Sequence, residues 1–216
     1  MADADAESEA VTAIDVALEP DPTTRALAYE VNARLRRGLP DGYALGEDHH
    51  PHVTVLQRFV ASDALDLAAA AARKVVAEED VGSWKLTATG HHYIARAPVG
   101  LAAIVIEGSD ELRRLQQRLA DSLLPYTRPA GTANAFASNV GGADIQEPLI
   151  SRVTDFVPNA SGSRFQPHIS TGVGTLDELD GLLAERFEPV EVSVDGVTMF
   201  QIGTFGTARR RLHTIL

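Results

Sequence analysis

A chain of 216 residues, 44% of them hydrophobic, suits one compact domain or two small fused lobes, and its body is too apolar to be disordered. The absence of cysteine excludes disulfides, thiolate metal sites and a cysteine nucleophile. A net charge of −11 repels long polyanions, so duplex DNA is not an expected partner, whereas a substrate with one or two phosphates is.

Residues 1–10 are small and acidic and read as a disordered tail. They lack the basic and apolar regions of a signal peptide, although a chain starting just after a removed targeting segment would read the same. No apolar run reaches the ~18 residues of a membrane span, so no membrane partner is expected. The chain is read as soluble, cytoplasmic by default, with an exported mature form left open.

Along residues 11–18, Ile14, Val16 and Leu18 alternate on one face, a strand pattern. Asp21 and Pro22 then supply an N-cap and a first-turn proline for a helix carrying Leu27, Val31 and Leu35, which Gly38 and Pro40 end. A strand is expected near 51–59, then a helix capped by Ser62 with Leu65, Ala69, Ala72 and Val76 inward. A hairpin over 85–89 and 92–95 follows. The order then repeats: a strand over 101–107, a helix capped by Ser109 with Leu112, Leu115, Leu119 and Leu123 inward, and a short strand over 167–171. Thr175 and Glu178 form a capping box for a helix with Leu179, Leu182 and Leu183. Two strands, near 190–194 and 197–202, and a last one near 210–215 close the chain.

This duplicated order predicts an α+β fold of two pseudo-symmetric lobes, each an antiparallel sheet with helices outside, facing a central cleft. The repeats span about 11–97 and 99–216 within one bilobal domain, 11–216. Residues 127–163 have no counterpart in the first half. A connection of this length is often functional, as a lid over a site is, and a short helix is expected near 146–156.

Both halves carry one tripeptide type, in Pro51-His52-Val53-Thr54 and Pro167-His168-Ile169-Ser170. Residues i and i+2 of a strand share a face, so each strand offers an imidazole beside a hydroxyl. Two such strands set side by side would place two imidazoles about a phosphate, with hydroxyls donating to its oxygens. Near neutral pH one histidine can take a proton from the attacking oxygen while the other gives one to the leaving oxygen. No metal or other cofactor is required if hydroxyls and nearby cations stabilise the transition state.

These paired His–apolar–Thr/Ser motifs resemble those of the two-histidine phosphoesterase superfamily, which includes 2′-5′ RNA ligase-like proteins and cyclic phosphodiesterases. Ala13-Ile-Asp-Val-Ala-Leu-Glu-Pro20 and Phe205-Gly-Thr-Ala-Arg209 resemble a bacterial 2′-5′ RNA ligase-like subgroup. The resemblance implies a central cleft, with His52 and His168 catalytic and Thr54 and Ser170 binding phosphate. The implied activity is hydrolysis of 2′,3′-cyclic phosphates or 2′-5′ phosphodiesters in nucleotides or short single-stranded RNA, or the reverse ligation, by a monomer.

Two rivals stand beside this reading: a nucleotide or RNA-end binding module without catalysis, and a metal-dependent hydrolase built on His49, His50, His52, His91 and His92. Tyr93, Phe165, Phe200 and Gln201 are further candidate substrate contacts, and Gln57 a weaker one. Arg58 shares the His52 face if the strand is regular. Arg209-Arg-Arg211 reads as a solvated edge and Trp84 as a packing residue.

Overall fold

The helices start where their capping chemistry lies. In the computed structural model, which describes residues 10–138, 142 and 144–216, strand β1 (Val11–Pro20) runs into helix α1 (Pro22–Gly38). Asp21 caps α1 by accepting from the Thr24 amide at 3.0 Å. Ser109 caps α3 (Asp110–Ser122) through the Leu112 amide, and the Thr175–Glu178 capping box opens α6 (Leu176–Ala184). Ser62 does not cap α2 (Leu65–Glu78). It opens a single 3₁₀ turn, Ser62–Ala64, and its hydroxyl bonds to Thr12 at 2.7 Å. The acidic tail lies outside the described residues except for Ala10.

The strands correct two expectations. The hairpin expected over 85–95 is one strand, β3 (Lys85–Arg96), paired with β4 (Val99–Ile106), and the register shift between Ala88 and Gly90 is absorbed as a bulge. The break expected at 195–196 is likewise a bulge within β7 (Val190–Ile202), because Asp195 has no opposite number on β1. Strand β2 (Val53–Ala61), the two-residue β5 (Thr127–Arg128), β6 (His168–Thr175) and β8 (Ala208–Thr214) complete the set, with helices α4 (Glu147–Thr154) and α5 (Phe156–Ala160) between β5 and β6.

The strands form one hydrogen-bonded antiparallel sheet in the order β1-β2-β6-β4-β3-β7-β8, with β5 on β2 and β1 also on β7. The two separate sheets expected from the repeat are therefore joined. Long β7 pairs with β3 through residues 190–193 and with β1 through 194–201. At the other junction β2 meets β6 through Val53 and Ile169.

One face of the sheet is covered by helices. Ile104, Ile106, Val53 and Ile169 share the largest core cluster with Leu112, Leu115 and Leu119 of α3 and with the alanines of α2. Ala102 packs with Val31 and Leu35 of α1 and Leu179 and Leu182 of α6. Strand alternation leaves Leu101, Ala103 and Val105 on the other face, which lines an open cleft. Gly172 lets α1 approach: its φ is +145°, and a Cβ there would lie 2.8 Å from the Asn32 amide nitrogen. That buried amide donates to the Thr171 and Tyr43 carbonyls and fixes α1 to β6.

Candidate active site

The junction of β2 with β6 positions the two motifs. Val53 lies opposite Ile169, and both are buried on the helix-covered face. Extending this antiparallel register by one residue each way sets His52 opposite Ser170 and Thr54 opposite His168. All four then lie on the face opposite Val53 and Ile169, and His168 lines the cleft there.

Both imidazoles are held in the same way. His52 Nδ1 donates to the carbonyl of His50 at 2.6 Å, and His168 Nδ1 donates to that of Gln166 at 2.8 Å. A carbonyl can only accept, so each bond fixes a proton on Nδ1 and leaves Nε2 as the atom available for proton transfer.

Beyond that bond the motifs differ. Asp15 on β1 is completely buried, and its Oδ2 accepts from the Thr54 hydroxyl at 2.8 Å and the Gln57 amide at 2.9 Å. His52 Nε2 lies 3.5 Å from that oxygen and 3.1 Å from the Thr54 hydroxyl. Burial depresses the His52 pKa, but the bond and charge of Asp15 and the His50 carbonyl outweigh it, and the pKa is raised above 6.5. His168 has no such carboxylate. Burial, and beyond it the charges of His52, Arg152 and His92, depress its pKa below 6.5, against the pull of the Gln166 carbonyl. The Ser170 hydroxyl, half-buried, makes no hydrogen bond among the described residues.

The other candidates separate by face. Phe165 lines a 430 Å³ pocket with His92, Ile94 and His168. Phe200 is fully buried beneath His50 and His52, at 5.1 and 6.4 Å between ring centres, and offers no face to a base. Tyr93 pairs with Ala102, so it faces away from the cleft and donates to Asp180. Gln201 spends its amide on the Ala135 carbonyl at 2.8 Å. Arg58 leaves the His52 face because the β1–β2 register shifts between Val16 and Ala17; it pairs with Ile14 and donates to Thr127. The shift turns Gln57 to Asp15 instead.

The histidines of the metal reading diverge. His49 bonds to Thr207, His50 sits on Phe200, and His91 packs against Phe187. Among the described residues no group of three or more metal-type side chains converges. The sequence reading missed Asp15, Arg96 and Arg152. Asp15 carried a signal, an acid inside an otherwise apolar strand, while the arginines reach the cleft only through tertiary packing.

Among solved structures, TT0787 of Thermus thermophilus is similar in fold, with 16% identity and a TM-score of 0.52 over 94% of this chain and 96% of that one. Weaker likenesses are Escherichia coli LigT complexed with 3′-AMP, at 11% identity and TM-score 0.42 over 95% and 97%, and Kluyveromyces marxianus Usb1 with uridine monophosphate, at 12% and 0.43 over 94% and 98%. Among curated proteins no sequence matches. The family model of the 2′-5′ RNA ligase superfamily matches residues 23–204, a span that includes both histidine motifs, and the chain accordingly belongs to this superfamily of two-histidine phosphoesterases.

Proposed function

We propose that the protein is a metal-independent phosphodiesterase that opens 2′,3′-cyclic phosphates or cleaves 2′-5′ phosphodiesters of nucleotides or short RNA. One observation carries this reading: two imidazoles on one face of adjoining strands, near enough to feel each other's charge, have their pKa values pushed in opposite directions. Such a pair divides acid from base at neutral pH. His52 keeps its proton to the higher pH, and His168 loses its proton first.

In the hydrolytic direction His168 Nε2 takes a proton from water as the water oxygen bonds to phosphorus. The bond from phosphorus to the ribose oxygen breaks, and His52 Nε2 gives its proton to that oxygen. The product is a phosphomonoester, or a separate phosphate end and hydroxyl end from a 2′-5′ link. Proton exchange with solvent restores His52 to its charged and His168 to its neutral form. Ligation is the reverse, with the two roles exchanged. Ser170 is free to donate to a phosphate oxygen. Thr54 spends its hydrogen on Asp15, so it positions His52 first and contacts phosphate only if that bond is released.

One chain carries both motifs, so a monomer suffices. The test is turnover of the four nucleoside 2′,3′-cyclic phosphates and a set of 2′-5′ dinucleotides in EDTA. Turnover that persists and is lost in His52→Ala and His168→Ala supports the proposal. Loss of turnover in EDTA would favour the metal enzyme, and tight binding without turnover the binding module.

A further inference from the structure

A second pocket adjoins the histidines and is not used by the reaction as derived. It has a volume of 630 Å³, against 430 Å³ for the pocket at His168, and Leu101 lines both. Its floor is Leu101 and Val173, opposite each other on β4 and β6, so it continues the His168–Ser170 face along the same strand. Thr171 bulges out of the register, so Val173 lies two β4 residues beyond Ser170, roughly 7 Å at ~3.3 Å per strand residue.

Two features of its wall point to a ligand. Arg96 and Arg152 both line it, and neither makes an ion pair or hydrogen bond among the described residues. Two guanidinium groups around one pocket, in a chain of net charge −11, form an anion site; Asp144, the one carboxylate of the lining, accepts from Thr204 and is bonded to neither arginine. Arg152 is close enough to depress the pKa of His168, which places that arginine beside the chemistry.

The second feature is Phe205, which also lines the pocket. It has φ +65° and ψ 0°, left-handed backbone that a bulky residue rarely adopts, yet the residue is 54% exposed. Tyr43 and His49 hold its ring, with centres at 5.3 and 6.1 Å. Strained backbone that presents an aromatic ring outward is a feature of ligand clamps. An aromatic face beside cations is the pairing that binds single-stranded nucleic acid, by stacking and phosphate contact together.

We propose that this pocket is a subsite for the nucleotide next to the reacting one, with its base stacked on Phe205 and its phosphodiester held by Arg96 and Arg152. The preferred substrate is then an RNA end, not a mononucleotide. This rests on the phosphoesterase reading of His52 and His168.

The test is calorimetric binding of adenylyl-(3′→5′)-adenosine 3′-phosphate and of adenosine 3′-phosphate, in wild type, Phe205→Ala, Phe205→Tyr and Arg96→Gln/Arg152→Gln. The wild type should prefer the dinucleotide. Phe205→Ala should cut the preference about ten-fold or more, since one base stack is worth roughly 1–2 decades in affinity. Phe205→Tyr should keep it, and the arginine variant should lose it along with part of its salt dependence. Equal affinities in the wild type, no binding of either ligand, or a preference that survives Phe205→Ala overturns the subsite. Wild-type turnover of a dinucleotide ending in a cyclic phosphate is scored separately: its absence sinks the phosphoesterase reading, while the affinity ratio still decides the subsite.

Discussion

At the scale of single residues, the two motifs are alike in the bond behind each ring and unlike in what stands in front of it. The buried Asp15 carboxylate belongs to one histidine alone, and this breaks the symmetry of the pair. In the free enzyme His168 must be neutral and His52 charged. The rate should therefore fall on the acid side as His168 protonates, below pH 6.5, and on the alkaline side as His52 loses its proton, above 6.5. A kcat/KM profile checks this, and an acid limb centred above pH 6.5 or an alkaline limb centred below it would contradict it. Asp15→Asn keeps the shape and removes the charge. It should bring the alkaline limb to lower pH and leave the acid limb in place, with the His52 titration followed by NMR. His52→Ala and His168→Ala should each lose about 10²–10⁴ in rate, and the double variant far less than the product of the two. Stability links to the same shifts. The raised His52 pKa contributes stability below pH 6.5, lost as pH rises through its folded value. The lowered His168 pKa opposes this, disfavouring the fold as pH drops below 6.5.

At the scale of elements, the site depends on irregular strands. The β1–β2 shift delivers Gln57 to Asp15, and the carbonyl of Val55 in the shifted stretch is taken by the buried Gln116 amide of α3 at 3.0 Å. Gly172 performs the corresponding service in β6. Gly172→Ala should destabilise the protein by about 1–3 kcal/mol, since it adds backbone strain and drives a methyl against the Asn32 amide. A lower denaturant midpoint with an unchanged slope would register this, and an unshifted midpoint would refute it. Helix α4, within residues 127–163, meets the rest of the fold on two sides. Its Val153 packs with Phe59 and Ile202 in a second core cluster, while Leu149 and Arg152 line the pocket beside the histidines. Deleting the segment would disturb both roles, so side-chain changes separate them better. Val153→Ala should lower stability, and Arg152→Gln should raise KM for RNA ends at nearly unchanged stability.

At the scale of the whole molecule, charge is distributed unevenly. The net −11 lies around a cleft whose lining carries His92, His168, Arg96 and Arg152 against the two carboxylates of Glu107 and Asp144. Such a field admits a short anion and resists a long one. Binding of a substrate with two phosphates should weaken with salt at a log–log slope of about −1.4, near −0.7 per phosphate contacted. Duplex DNA should not compete at equal nucleotide concentration. A steep slope with tight duplex binding would contradict this account. No described helix is long and apolar enough to cross a membrane.

The sequence by itself determined what local chemistry controls. Asp21–Pro22, Ser109 and Thr175–Glu178 mark helix starts, because caps act within one turn. The two His–apolar–hydroxyl tripeptides pointed to the candidate site, because strand alternation places the imidazole and hydroxyl of each on one face. Only the tertiary structure decided the rest. Whether Asp195 and Gly196 turn the chain or bulge within it depends on a partner strand far away in sequence. The joining of two expected sheets depends on Val53 meeting Ile169 and on the length of β7. Which histidine keeps its proton depends on Asp15, 37 positions before His52, because a buried charge acts over distance through space and not along the chain.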